Sequence, residues 1–140
     1  MAEFSLTSFA AFLTGAVVEM EHARHSALEH AAKIIETEAK SYPGTYQPGW
    51  PPLKEATIAA KANGDTPLLE TGELRDSYQH KVVGHNDAFI GSDNDKAIWH
   101  ELGTSRGIPP RPVLSTAAMA KEKEVVHLLG RESVKGIVKR

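Results

Sequence analysis

Seven histidines with no cysteine direct attention first to imidazole chemistry. His22, His25 and His30 fall within nine residues, and His22 and His25 stand three apart, which puts them on one face of a helix. Two imidazoles on one face could begin a zinc site. A third histidine or a carboxylate, with a second shell to orient the ligands, would have to complete it. His100-Glu101 resembles the start of the zinc-protease pattern, but Thr104 stands where that pattern needs its second histidine. Ser77, His80 and Asp87 supply the residue types of a nucleophile–base–carboxylate triad, yet spacing alone does not separate them from ordinary surface polar residues. No GxSxG elbow and no P-loop is present. Arg111, fixed between Pro110 and Pro112, has an extended backbone that aims its guanidinium at a carboxylate, Glu101 or Glu73 in the same subunit or one across an interface. Lys135, Lys139 and Arg140 end the chain and could face DNA, but no basic–aromatic alternation of a single-strand binder accompanies them.

Composition narrows these options. The chain has 140 residues, 41% of them hydrophobic and 24% charged, a globular balance for one modest core over residues 1–140. With aromatics at 6%, aliphatic side chains and alanine must build most of that core. The lack of cysteine excludes disulfides and thiolate chemistry and fits an intracellular origin. No run of about 18 apolar residues offers a membrane span, and no basic residue precedes Arg24, so the start lacks a secretory front. The net charge of −2 gives no general attraction to nucleic acid. It is unevenly placed: residues 1–30 hold four glutamates against one arginine, and residues 119–140 hold six basic against three acidic residues. Such a pair of ends suits head-to-tail contact between subunits, or simply solvated helix faces.

The elements that must position these residues are legible in outline. Phe9, Leu13, Ala16, Met20, Ala23, Ala27, Ala31 and Ile34 step by three or four, predicting one helix from Ser8, its N-cap, to Ala39, roughly 48 Å long. Its alanine stripe lets another element approach closely, either its own sheet or a partner subunit. Ser41 to Pro52 reads as loop around Tyr42, Tyr46 and Trp50, with Trp50 either a contact anchor or a core plug. Leu53–Ala62 can form a short helix; with the turn that follows, the loop region spans about residues 41–67, a length that is usually functional or mobile. Leu68–Tyr78 reads as a short helix with Thr71 as N-cap and Leu74 inward. Tyr78–Val83 and Asp87–Ser92 form a hairpin about Gly84-His85-Asn86, and Ala97–Leu102 is a third strand or a helical turn. Gly103–Gly107 is a flexible loop, and Ile108–Pro112 is extended. Ser115 caps a final helix whose contacts come from Ala118, Val125, Val126, Leu128 and Leu129, weakened by Gly130 and Gly136, before a basic segment at about 131–140.

Five short blocks then stand in one order: Trp50 and Leu53; Leu69, Thr71, Gly72, Leu74, Arg75 and Ser77; Ile90, Gly91 and Ser92; His100, Glu101, Gly103 and Thr104; and Pro110, Arg111, Pro112 and Leu114. In this register the chain resembles the neck and tail-completion proteins of tailed bacteriophages, the virion-morphogenesis and head–tail joining group. It departs from many of them at Val113, where they carry an aromatic. The resemblance implies an α+β subunit, a long N-terminal helix packed on a small antiparallel sheet with a C-terminal helix. It implies a structural, non-enzymatic protein without cofactor or metal, made in the host bacterial cytoplasm and built into the virion. Its partners would be other copies of itself in a ring, often six-fold, and the neighbouring neck and tail proteins. DNA would pass through the ring without sequence-specific binding, and no membrane would be involved. Trp50, Thr71, Gly72, Leu74, Arg75, His100, Gly103, Thr104, Arg111 and Pro112 would then serve the framework or its interfaces. Two other readings remain on the residues: a small metal-dependent hydrolase or lysis enzyme using His100 and Glu101, and a DNA-binding accessory protein.

Overall fold

In the computed structural model, residues 6–84 and 86–134 are described, without the side chains of residues 6, 8–10, 12, 13, 16, 19, 20 and 133. The order is α1 (Leu6–Ser41), α2 (Glu55–Ala60), α3 (Glu73–Ser77), β1 (Tyr78–Val83), β2 (Asp87–Ser92), α4 (Asp95–Leu102) and α5 (Leu114–Ser133). The fold is α+β: a long N-terminal helix against a two-stranded antiparallel hairpin and a C-terminal helix.

Helix α1 begins before Ser8, so Ser8 lies inside it and does not cap it. It stops at Ser41 because Pro43 disfavours helical backbone at the residue before it, and Gly44 then takes a φ of 101°. Of the predicted stripe, Ala27 and Ala31 are buried, joined by Ala32 and Ala39; the side chains of Phe9, Leu13, Ala16 and Met20 are outside the description. Small side chains here let α5 lie close alongside, antiparallel to α1. Lys121 meets Glu38 at 3.7 Å near one end and Glu132 meets His30 at 2.9 Å near the other. These two pairs tie α5 to the C-terminal half of α1 and involve none of the glutamates of residues 1–30. The inner face of α5 runs through Leu114, Ala117, Lys121, Val125 and Leu128, whereas Ala118 and Val126, expected as contacts, are exposed. A 3.6-residue period through Ala117 leaves those two positions outside.

The hairpin has the predicted strands, with Tyr78 opposite Ser92 and Val83 opposite Asp87. Gly84 turns the chain at a φ of 64°, and His85 is outside the described residues. Alternation points Tyr78, His80 and Val82 inward and Gln79 and Lys81 outward. His80 is held by α1 at both ring nitrogens, Nδ1 to Glu36 and Nε2 to Glu29 at 2.5 Å. Donation to two carboxylates requires the imidazolium, and those carboxylates raise the His80 pKa above its ordinary 6.5. Burial opposes ionisation of Glu36, but hydrogen bonds from His80 and Lys40, with the charges of Lys40 and Lys33, hold its carboxyl at about 2.

The clamp therefore contributes stability that is fully present below pH 6.5 and is lost as pH rises through the higher folded-state pKa of His80. On the acid side, the Glu36 contribution is present above its ordinary 4.5 and is lost as pH falls towards about 2. Urea midpoints of wild type and His80→Gln should thus differ most between those limits and converge above the His80 pKa. A difference that does not change with pH would contradict this origin.

Of the two readings of residues 97–102, the helical one holds, because Asn94 accepts the Lys96 N–H at 3.0 Å and caps α4. Three further expectations are corrected. The helix expected over Leu68–Tyr78 is reduced to α3, since Leu68 has a φ of 61° and Gly72 one of 86°. Gly72 rather than Thr71 occupies the N-cap position, although the Thr71 hydroxyl still accepts the Glu73 N–H at 3.3 Å. Gly72→Val, forced into the left-handed region, should cost about 1 kcal/mol or more, read as a lower melting temperature; unchanged melting would contradict the turn. The third correction concerns α5. Ser115 does not cap it; the Glu101 carboxylate does, accepting the N–H groups of Val113, Leu114 and Ser115 at 2.6, 3.1 and 2.9 Å. A carboxylate at a helix start is also favoured by the helix dipole.

The core gathers where the end of α1 meets α3, β1, α4 and the start of α5: Ala39, Tyr42, Trp50, Leu74, Tyr78, Ala97, Val113 and Ala117. Trp50 is a core plug, edge-on to Tyr42 at 6.4 Å between ring centroids. The region from 41 to 67, expected to be adaptable, is stitched to itself. Tyr46 Oη donates to Asp65 and accepts the Leu53 N–H, and the Gly44 N–H donates to Pro67 O at 2.7 Å.

Candidate functional site

Parts of the short blocks dispersed in sequence, Trp50, Leu74 and the segment from Gly103 to Leu114, come together at one end of this core. Gly103 ends α4 with a φ of 74°, and a Cβ there would meet Ile108 O and Pro110 at 3.0 Å, so only glycine fits without displacement. Thr104 closes the following loop, its N–H donating to Ile108 O at 2.9 Å and its hydroxyl accepting the Ile108 N–H at 3.3 Å. The segment expected to be flexible is therefore a hydrogen-bonded turn. Pro112 O accepts from Trp50 Nε1 at 3.2 Å and from the Thr116 hydroxyl at 2.8 Å. Val113 is fully buried, which suits an aliphatic residue at the position of departure.

Arg111 is buried, and its partner is not a carboxylate. Nε and Nη2 donate to Pro51 O at 3.0 and 2.8 Å, and Nη2 also donates to Pro52 O at 3.2 Å. Glu101 is engaged by α5, and Glu73 lies with Asn94 and Lys96, so neither is available to it. Proline-rich backbone explains the choice: successive prolines at 51 and 52 leave carbonyls that no secondary structure satisfies. Arg111 thereby ties the 103–112 loop to the Trp50 loop. Arg75 does not join this group. It pairs with the adjacent Asp76 at 2.9 Å, over Gly72.

His100 sits between these parts. Its Nδ1 is shut off from solvent with no hydrogen-bond partner among the described residues. Burial, with the charges of Arg111, Lys61 and Lys96, lowers its pKa, so the ring is neutral near pH 7. The ring lines a cavity of about 610 Å³ together with Leu53, Lys61, Leu68, Leu74, Lys96 and Ile108. Both Glu101 oxygens are occupied by α5 N–H groups, so in this arrangement Glu101 is not free to ligate a metal or take a proton beside His100.

Other sequence candidates are dispersed. Ser77 Oγ bonds Ser92 Oγ and Leu74 O, each at 2.6 Å, His80 belongs to the α1 clamp, and Asp87 lies at the far end of the hairpin. His25 reaches Gly84 O and His30 reaches Glu132. Among the described residues, no three histidine, aspartate or glutamate side chains gather as for a metal ion. Lys135, Lys139, Arg140 and Gly136 lie outside the described residues. No helix among the described residues is long and apolar enough to cross a membrane.

One surface was missed in the sequence. Ile98, Trp99 and Leu102 are 58, 43 and 71% exposed and lie together on the outer side of α4. The i, i+4 spacing of Ile98 and Leu102 was a detectable signal once the segment is helical; the strand alternative concealed it. Trp99, not Trp50, is thus the exposed tryptophan. None of the protein-family models, curated proteins or solved structures compared with the chain matches it.

Proposed function

We propose that this chain is a structural subunit of a tailed-phage particle, forming a ring at the head–tail junction, at the neck or top of the tail. The phage assignment rests on the five sequence blocks in register, and the observation that supports an assembly role is the apolar face Ile98, Trp99 and Leu102 on α4. Contiguous exposed apolar side chains with a tryptophan among them are characteristic of protein interfaces. This face is held rigidly by the same residues that carry the family resemblance: Gly103, Thr104, Arg111 and Pro112 fix the α4–α5 connection. Ring closure needs two different complementary patches on each subunit. Met119 and Val126, exposed at 76 and 63% on the outer side of α5 with Glu122 and Lys123 between them, are the candidate contacts for a neighbour's α4. In this reading DNA passes through the ring, and the basic end at Lys135, Lys139 and Arg140 stands as its candidate DNA-facing part.

The test is a paired substitution, Trp99→Glu with Leu102→Asp. Both side chains are substantially exposed, so the fold should melt as wild type does. Sedimentation should show wild-type rings lost in the variant, and phage complemented with the variant should yield heads and tails that do not join. Normal joining by a folded variant would overturn this interface.

A further inference from the structure

We propose that the cavity beside His100 is a binding site for a carboxylate carried on an apolar group, supplied as the terminal residue of a polypeptide or as a free small acid. Its volume, about 610 Å³, falls within the usual range of ligand pockets. Leu53, Leu68, Leu74 and Ile108 provide apolar wall for the hydrocarbon part.

The polar part follows from His100. We assign the proton of the neutral ring to Nε2 and its N–H to the cavity, because a sealed, unpartnered Nδ1 costs less as a bare lone pair than as an N–H. An N–H in a cavity asks for an acceptor. Lys61, Lys96 and Arg111 in the same lining make that acceptor an anion and disfavour a cation, with Glu70 and Glu73 as the opposing charges. Lys61 is held by Leu69 O at 2.7 Å and Glu70 at 3.3 Å. Lys96 is the adaptable cation: it is exposed, and its 3.8 Å contact with the exposed Glu73 is loose, so its ammonium can exchange partners at small cost. Arg111 commits Nε and Nη2 to Pro51 and Pro52, which removes the bidentate fork that a phosphate would use. A histidine N–H and one ammonium match the two oxygens of a carboxylate.

The experiment titrates the full chain with N-acetyl-leucine, following the His100 ring and the Leu74 and Ile108 methyls by NMR. N-acetyl-leucinamide and acetate are the controls. N-acetyl-leucine should shift all three residues and raise the His100 pKa; each control lacks one half of the ligand and should not. Lys96→Ala, a surface change, should weaken binding about ten-fold, the loss expected for one charge-assisted hydrogen bond. A tripeptide ending in leucine with a free carboxylate identifies the source: binding at least as tight as N-acetyl-leucine assigns a polypeptide end, and exclusion of the tripeptide assigns a free acid. If neither acid shifts the His100 signals, or if the amide binds as well as the acid, the proposal is overturned.

Discussion

Trp50→Ala should lower the unfolding free energy by about 3–5 kcal/mol, the range for removing a buried tryptophan from a packed core. Trp50 is 7% exposed, lies edge-on against Tyr42 and donates through Nε1 to Pro112 O. Truncation loses that apolar contact and leaves a hole between the 41–52 loop, α1 and the start of α5. Total stability of a domain this size is about 5–15 kcal/mol, so the variant would lose a large part of it. Denaturant midpoints measure the loss, and fluorescence identifies its source. The chain has two tryptophans, and Trp99 is the exposed one in the single subunit, so under dilute conditions where rings are dissociated the variant's remaining emission should be that of a wet indole. A wild-type midpoint would contradict the core placement of Trp50.

Arg111→Met should cost about 3 kcal/mol, because hydrogen bonds to charged groups contribute more than neutral ones and the carbonyls left behind become orphans. Pro51 O accepts from both Nε and Nη2, and Pro52 O from Nη2. Arg111→Lys should recover only part of this, since an ammonium cannot reproduce the fork. Full recovery by lysine would show that charge, not the planar geometry, matters. Because Arg111 joins the two loops that frame the cavity and hold α4, both variants should also weaken ring formation.

Both residues were singled out in the sequence, yet with different success. The bracketing prolines made it clear that Arg111 is aimed. Its target could not be read, because a backbone carbonyl is present at every residue and leaves no mark in composition. Trp50 was equally compatible with core and surface until Tyr42 and Pro112 were placed around it. Helical periodicity revealed α1, and the Gly84 turn between apolar runs revealed the hairpin with its strand limits. The short helix α4 was ambiguous because six residues satisfy either period. Its cap, Asn94, lies just before the apolar run, and its last acidic residue, Glu101, caps a different helix 12 residues away. Long-range roles of that kind, like the clamp of His80 between Glu29 and Glu36, depend on tertiary approach and have no local signature. Of the proposed interface, the framework residues are legible as short blocks in register. The apolar face they support is not, since its three residues acquire a common side only in a helix.

We propose that this chain is built into the junction between a phage head and tail. Electron microscopy of purified particles in which the chain carries an added, resolvable tag should show a ring of tagged density at that junction, in a copy number equal to the ring's symmetry, with α4 of each subunit against α5 of the next. Particles that join heads to tails with no copy of this chain at the junction would contradict it.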